Sequence, residues 1–414
     1  MNKMSLPTGC FAFFLLFIMI MHPYTIYGKP GVFAVFFFVI VALRDGIERG
    51  FFQDFVLPSF FLFILGLIGA ISSVANGIPQ INHPFAVFSF LIMLFAAKGV
   101  FVFFKKRNVE LDDFVFLILM VVALNSVIVL IELQFDGVRQ IIEQNLDQLT
   151  EASINYSEGF RLRGVASSGG AGLSISVPAA VIIALYLFDR GRIGIFLLIV
   201  LFILFFTSVM VIGRSGIVLL AVPAVCYITL LLLKKGGVKS LLKGFFLVFL
   251  FSILVVPIFY QYISDFFTEM FGDAFMKYAF GFLLDGGDGI QEEGTVGAVA
   301  EFLTVLPLQF PQALVGYGFY GGSAFYPWSD SGISRMFLSI GFVFGTMFYF
   351  ILLKIYFLPF KKNKFLIGAM VLLLLAAEAK EVLLYSGVAS RMFILLLVYC
   401  YYDGRLDKKV LREK

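Results

Sequence analysis

The sequence predicts an all-α fold: a polytopic membrane helical bundle of about twelve transmembrane helices, forming a single integral membrane domain over residues 1–414. Three observations predict it. Hydrophobic residues make up 61% of the chain against 14% charged, and mean hydropathy is +0.99, outside the range of water-soluble domains. Apolar runs long enough to cross a bilayer recur along nearly the whole length. The connections between these runs alternate between rich and poor in Lys and Arg.

In order, the expected spans are 7–27, 31–43, 52–75, 84–104, 113–134, 169–188, 193–212, 215–233, 243–263, 332–357, 364–379 and 387–402. The first is read as a retained span, because no small-residue cleavage site follows it and a second apolar run begins at once. Cys10, Cys226 and Cys400 lie far apart inside apolar runs and read as small core residues. His22 and His83 are the only histidines, and neither has ligand-type neighbours, so neither a metal nor another cofactor is expected.

One set of connections carries Arg44 and Arg49; Lys105, Lys106 and Arg107; Arg190 and Arg192; Lys234, Lys235, Lys239 and Lys243; Lys361, Lys362 and Lys364; and a basic tail from Arg405 to Lys414. The positive-inside rule makes this set cytoplasmic, and both termini with it. The net charge of +4 then reflects topology and implies no nucleic-acid partner. No Walker-type GxxxxGK[ST] motif is present, and the cytoplasmic connections are short, which argues against ATP-driven chemistry.

Two connections on the opposite side are long: 135–168 and 264–331. The second is polar, glycine-rich and acidic, with Lys277 as its one basic residue, and it ends in VGYGFYGGSAFYPWSDSGISR. Within it, Val296 to Leu314 is apolar but broken by Glu301, Pro307, Gln309 and Pro311, the pattern of helices that lie at the interface or re-enter.

Outside the cytoplasmic set the basic residues are few: Lys29, Arg139, Arg161, Arg163, Arg214, Lys277, Arg335, Lys380 and Arg391. A cation at the membrane edge is costly and points to function or to a specific partner. Arg161 and Arg163 lie in FRLRGVASSGGAG, which leads into the sixth span. Free backbone N–H groups and two guanidinium groups there suit a phosphate or diphosphate, although snorkelling and a helix cap would account for them as well. Arg214 lies in SVMVIGRSG between two spans with almost no loop, where a structural ion pair is the alternative. Arg335 follows Asp330 at a spacing unsuited to pairing along one helix, so both side chains are expected to face a shared cavity, with Asp330 or Ser331 as the alternative helix cap. Lys380, Glu381 and Arg391 cluster around the last short turn, as a membrane-edge ion pair or as part of the same site.

Guanidinium groups under an acidic, aromatic loop suit a lipid-linked phosphate carrying sugars. Tyr317, Tyr320 and Trp328, with Phe319, Phe325 and Tyr326, offer stacking faces, and Glu301 offers a hydrogen-bonding carboxylate. Glycosyl transfer needs leaving-group stabilisation and a base on the attacking hydroxyl. Arginine supplies the first; Asp330 and Glu301 are the leading candidates for the second, and the sequence does not choose between them.

RLRGVASSGGAG, SVMVIGRSG, PLQFPQALVGYGF with SDSGISRMFLSIGFVFG, and EAKEVLLYSGVASR together resemble segments of O-antigen and exopolysaccharide polymerases, the Wzy type within the O-antigen ligase–polymerase superfamily. The resemblance implies a GT-C-like bundle with a large periplasmic loop in the bacterial inner membrane. It implies metal-independent en bloc transfer of a growing glycan between undecaprenyl-diphosphate-linked oligosaccharides, with release of undecaprenyl diphosphate. By motif it assigns Arg161, Arg214 and Arg335 to the diphosphate; the residues themselves place Arg163, Lys380 and Arg391 beside them and Asp330, Arg335 and Arg214 in catalysis. Membrane lipid and a chain-length regulator are the implied partners. Ligases of the superfamily carry a His near the position of SDSG, whereas this long loop contains none, which favours a polymerase. The rival readings are an O-antigen ligase and a lipid-linked oligosaccharide flippase, the latter disfavoured by the long outer loop and the absence of an internal repeat.

Overall fold

The computed structural model describes residues 6–25, 27–77, 80–146, 162–167, 171–235, 305–320, 329–385 and 387–412. Among them every regular element is helical, and β pairing is confined to isolated bridges at Thr25. The helices are α1 (Leu6–Met21), α2 (Pro30–Asp45), α3 (Arg49–Ala75), α4 (Asn82–Lys105), α5 (Leu111–Gln134), α6 (Asp136–Asn145), α7 (Ala171–Ser174), α8 (Ser176–Asp189), α9 (Ile195–Ile212), α10 (Arg214–Leu219), α11 (Ala221–Lys235), α12 (Gln312–Val315), α13 (Gly332–Tyr356), α14 (Lys364–Glu378) and α15 (Gly387–Arg412).

Local chemistry sets their ends. Pro30 opens α2, where a missing N–H breaks no helical bond, and Gly46 ends it with a positive φ of 88°. Asp112 and Asp113 sit in the first turn of α5, where carboxylates complement the helix dipole. Among the described residues six apolar helices are long enough to cross a membrane: α3, α4, α5, the run Gly172–Asp189 through α7 and α8, α9 and α13. The expected spans 7–27, 31–43, 215–233, 364–379 and 387–402 also hold helices, while the expected span 243–263 lies outside the described residues.

Helix α15 is central, with Phe393 through Tyr402 all at most 7% exposed. Helix α4 packs on α2 at Gly99, where a Cβ would collide with the Phe38 carbonyl. The perimeter is apolar: Phe33, Phe196 and Phe350 are 76%, 79% and 72% exposed, a surface that suits lipid and not water.

Cross-contacts sort the connections into two ends. At one, Lys106 Nζ lies 3.3 Å from Asp45, and Lys105 Nζ lies 3.9 Å from Asp403. Arg192 pairs with Asp113 and lies 4.0 Å from Asp112, and the Tyr186 hydroxyl reaches Asp112 at 3.2 Å and Asn363 at 3.4 Å. Lys98 is fully buried there, donating to the Gly46 carbonyl beneath the Phe51 ring. Among the described residues, the connections that the sequence shows as basic therefore gather at this end, and those of the other set meet at the far end; the basic stretch 236–243 lies outside the described residues.

The first long connection contains an unexpected helix, α6, on which Arg139 and Glu143 pair at 3.2 Å while Ile141 is 62% exposed. Of the interrupted apolar stretch 296–314, the described part is irregular chain up to the short helix α12.

Candidate functional site

The start of α13 organises the far end. Ser331 has extended φ/ψ, and its hydroxyl accepts the Ser334 N–H at 3.4 Å, so Ser331 and not Asp330 is the cap. Asp330 lies ahead of the helix, which frees it from helical spacing. Its Oδ1 accepts Arg335 Nη2 at 3.0 Å, and Arg335 Nε donates to the Ser329 carbonyl at 2.5 Å. The spacing argument against pairing applied to residues on one helix and does not hold here. The arginine side chain is 23% exposed and the aspartate 50% exposed, so the pair sits at a surface.

Gly332 lets this segment press onto the turn between α14 and α15. A Cβ on it would stand 2.5 Å from Glu378 Cδ and 2.9 Å from the Glu381 carbonyl oxygen. Glu378 is fully buried: its Oε2 accepts the N–H groups of Leu383 at 2.6 Å and Leu384 at 2.8 Å, and its Oε1 accepts the Tyr349 hydroxyl at 3.2 Å. This network holds the turn bearing Lys380 and Glu381 against the Arg335 segment. Glu381 is half-buried, and its Oε2 is fully enclosed with no hydrogen-bond partner among the described residues. Burial pushes its carboxyl above the usual range; Arg335 and Lys380 oppose that, and Asp330 adds to it.

The segment 162–167 reaches the same end from α5. Glu132 accepts the Gly164 N–H at 2.8 Å, Asn125 Oδ1 accepts the Val165 N–H at 3.1 Å, and Asn125 Nδ2 donates to the Arg163 carbonyl at 3.4 Å. Gly164 has φ +59° against the Asn125 amide, a conformation and a clearance that favour glycine. Arg163 is half-buried; burial lowers its pKa, while Glu132 and Glu143 raise it. The Ser167 N–H donates to Met21 at the end of α1, and Arg391 Nη1 donates to the adjacent Ile20 carbonyl at 2.8 Å. Gly216, two residues after the start of α10 at Arg214, packs on Ser174 of α7, and Gly172 packs beside Leu383. The segments carrying Arg163, Arg214, Arg335, Lys380 and Arg391 thus join through direct contacts at one end of the bundle. Arg161 lies outside the described residues.

The end of the long connection threads between α3 and α13. The Tyr317 and Gly318 N–H groups donate to Leu338 and Ser339 carbonyls at 2.6 and 3.1 Å, and Ser72 Oγ donates to the Gly316 carbonyl at 2.8 Å. Gly316, Gly318 and the kink residue Gly341 all have positive φ, and a Cβ on any of them would strike neighbouring backbone. Tyr320 is buried: its ring stacks on His83 at 4.3 Å, and its hydroxyl bonds to that of Tyr385. One ring face is therefore closed to a sugar, and Tyr320 serves as packing. Tyr317 is half-buried and stacks on Phe319 at 5.6 Å. Glu301 and Trp328 lie outside the described residues.

The sequence reading passed over Glu132, Asn125, Glu378 and Tyr349. A carboxylate or amide inside an apolar run was the available signal. Among the described residues no group of three or more His, Cys, Asp or Glu could hold a metal ion. No family model matches the chain, and neither a curated protein nor a solved structure matches it.

Proposed function

We propose that the chain is a polysaccharide polymerase of the O-antigen (Wzy) type: a metal-independent glycosyltransferase of about twelve spans and GT-C-like architecture. It sits in the bacterial inner membrane with both termini cytoplasmic and the site facing the periplasm. The observation that carries the reading is the gathering of the non-cytoplasmic arginine segments at the end of the bundle away from the basic connections. Guanidinium groups held by backbone carbonyls and one carboxylate suit a lipid diphosphate arriving from the bilayer.

In this mechanism Arg335 neutralises the charge that develops on undecaprenyl diphosphate as the glycan leaves, and Asp330 fixes its orientation. Arg161, Arg163, Arg214, Lys380 and Arg391 complete the diphosphate site. Glu301, Tyr317 and Trp328 handle the glycan. A strain lacking the gene tests the reading: its surface glycan on a gel is expected to collapse from a ladder to a single repeat unit. Complete loss of attached glycan with accumulation of lipid-linked chains would make the protein a ligase instead.

A further inference from the structure

We infer that Glu381 is the carboxylate that takes the proton from the attacking sugar hydroxyl, with Glu378 as its positioning residue; this rests on the polymerase reading of the same site. A base must present a lone pair that no protein donor occupies. Among the described residues Glu381 Oε2 is enclosed and has no hydrogen-bond partner, a state that folded proteins seldom leave unanswered. Of the other two carboxylates of the cluster, Asp330 is tied to Arg335 through one oxygen and is half exposed, while Glu378 is engaged at both.

Position supports the same assignment. The charge of Arg335, the group assigned to the leaving diphosphate, acts on Glu381, the Glu381 carbonyl lies against Gly332 at the start of α13, and Glu378 fastens the turn that carries it. The charged groups around it are Arg335 and Asp330 from the start of α13, Lys380 on its own turn, and Glu378 at the end of α14. In the step, the acceptor hydroxyl oxygen bonds to the anomeric carbon of the donor glycan. The bond from that carbon to the diphosphate oxygen breaks, its electron pair leaves on undecaprenyl diphosphate, and the hydroxyl proton moves to Glu381 Oε2. Burial favours the protonated carboxyl, which raises its strength as a base. The extension rate should therefore fall as pH drops through the raised pKa of Glu381.

The test uses the full-length purified chain and lipid-linked repeat units extracted from the deletion strain. Glu381→Gln is expected to slow extension by at least about 100-fold, the usual contribution of a general base, while retained binding of the lipid-linked donor shows an intact fold. Glu381→Asp is expected to recover part of the rate. Extension by Glu381→Gln at the wild-type rate overturns the assignment, as does joint loss of donor binding and extension in both variants, which marks a structural role. Failure of the wild-type chain to extend these units overturns the polymerase reading, and the assignment with it.

Discussion

Arg335 is held by two different acceptors, a carbonyl and a carboxylate, so its guanidinium is oriented as a fork. Arg335→Ala is expected to abolish the glycan ladder at unchanged protein level, and Arg335→Lys to restore only short chains, because one ammonium cannot hold both acceptors and a diphosphate. A full ladder from the Ala variant would remove Arg335 from the site. Gly332→Ala places a methyl group against Glu378 and the Glu381 carbonyl. The expected loss is about 1–3 kcal/mol of stability, read by thermal unfolding, together with shortened ladders. Few of these contacts were legible in the sequence. The residue types Asp330, Ser331 and Arg335 announced a cap and a charge, but the pairing depends on the chain turning back ahead of the helix. Spacing rules derived for helix interiors do not describe that geometry.

At the scale of elements, helices were legible and their interruptions were not. Hydropathy marks an apolar run but is blind to Gly341, whose φ of 77° breaks α13 where the strap 316–320 docks. Helix α6 was hidden inside a connection because its length and polarity are those of a loop. Tyr320 shows the same limit: an aromatic in an aromatic loop invites a sugar-stacking role, yet long-range packing on His83 decides its place. Tyr320→Phe is expected to cost about 1–3 kcal/mol by leaving the Tyr385 hydroxyl without its partner, and to leave glycan chain length intact. Gly318→Ala, with φ +80° and Ser73 backbone behind it, is expected to destabilise by at least about 1–3 kcal/mol. Unfolding midpoints of both variants check these values.

For the whole molecule, the charge alternation along the chain becomes a spatial separation between two ends, because ion pairs and buried hydroxyl contacts join distant connections. Alkaline phosphatase fused after Arg412 is expected to be inactive, and the same enzyme inserted at Leu308, which is 75% exposed, to be active. Equal activity at both sites would overturn the orientation. The separation was legible because membrane insertion writes it into the Lys and Arg distribution. The joining of the segments that carry Arg163, Arg335 and Arg391 was not, since it depends on tertiary contacts between helices remote in sequence.

The strap at 316–318 has an evolutionary consequence. It is fastened chiefly through main-chain groups, with glycines at the tightest approaches. Residues ahead of it can therefore be exchanged without disturbing its seat between α3 and α13. Under the polymerase reading, a lineage acquires a different sugar preference by rewriting the preceding stretch while inheriting the same bundle, so related chains are expected to diverge there first and to keep Gly316, Gly318 and Gly341 last.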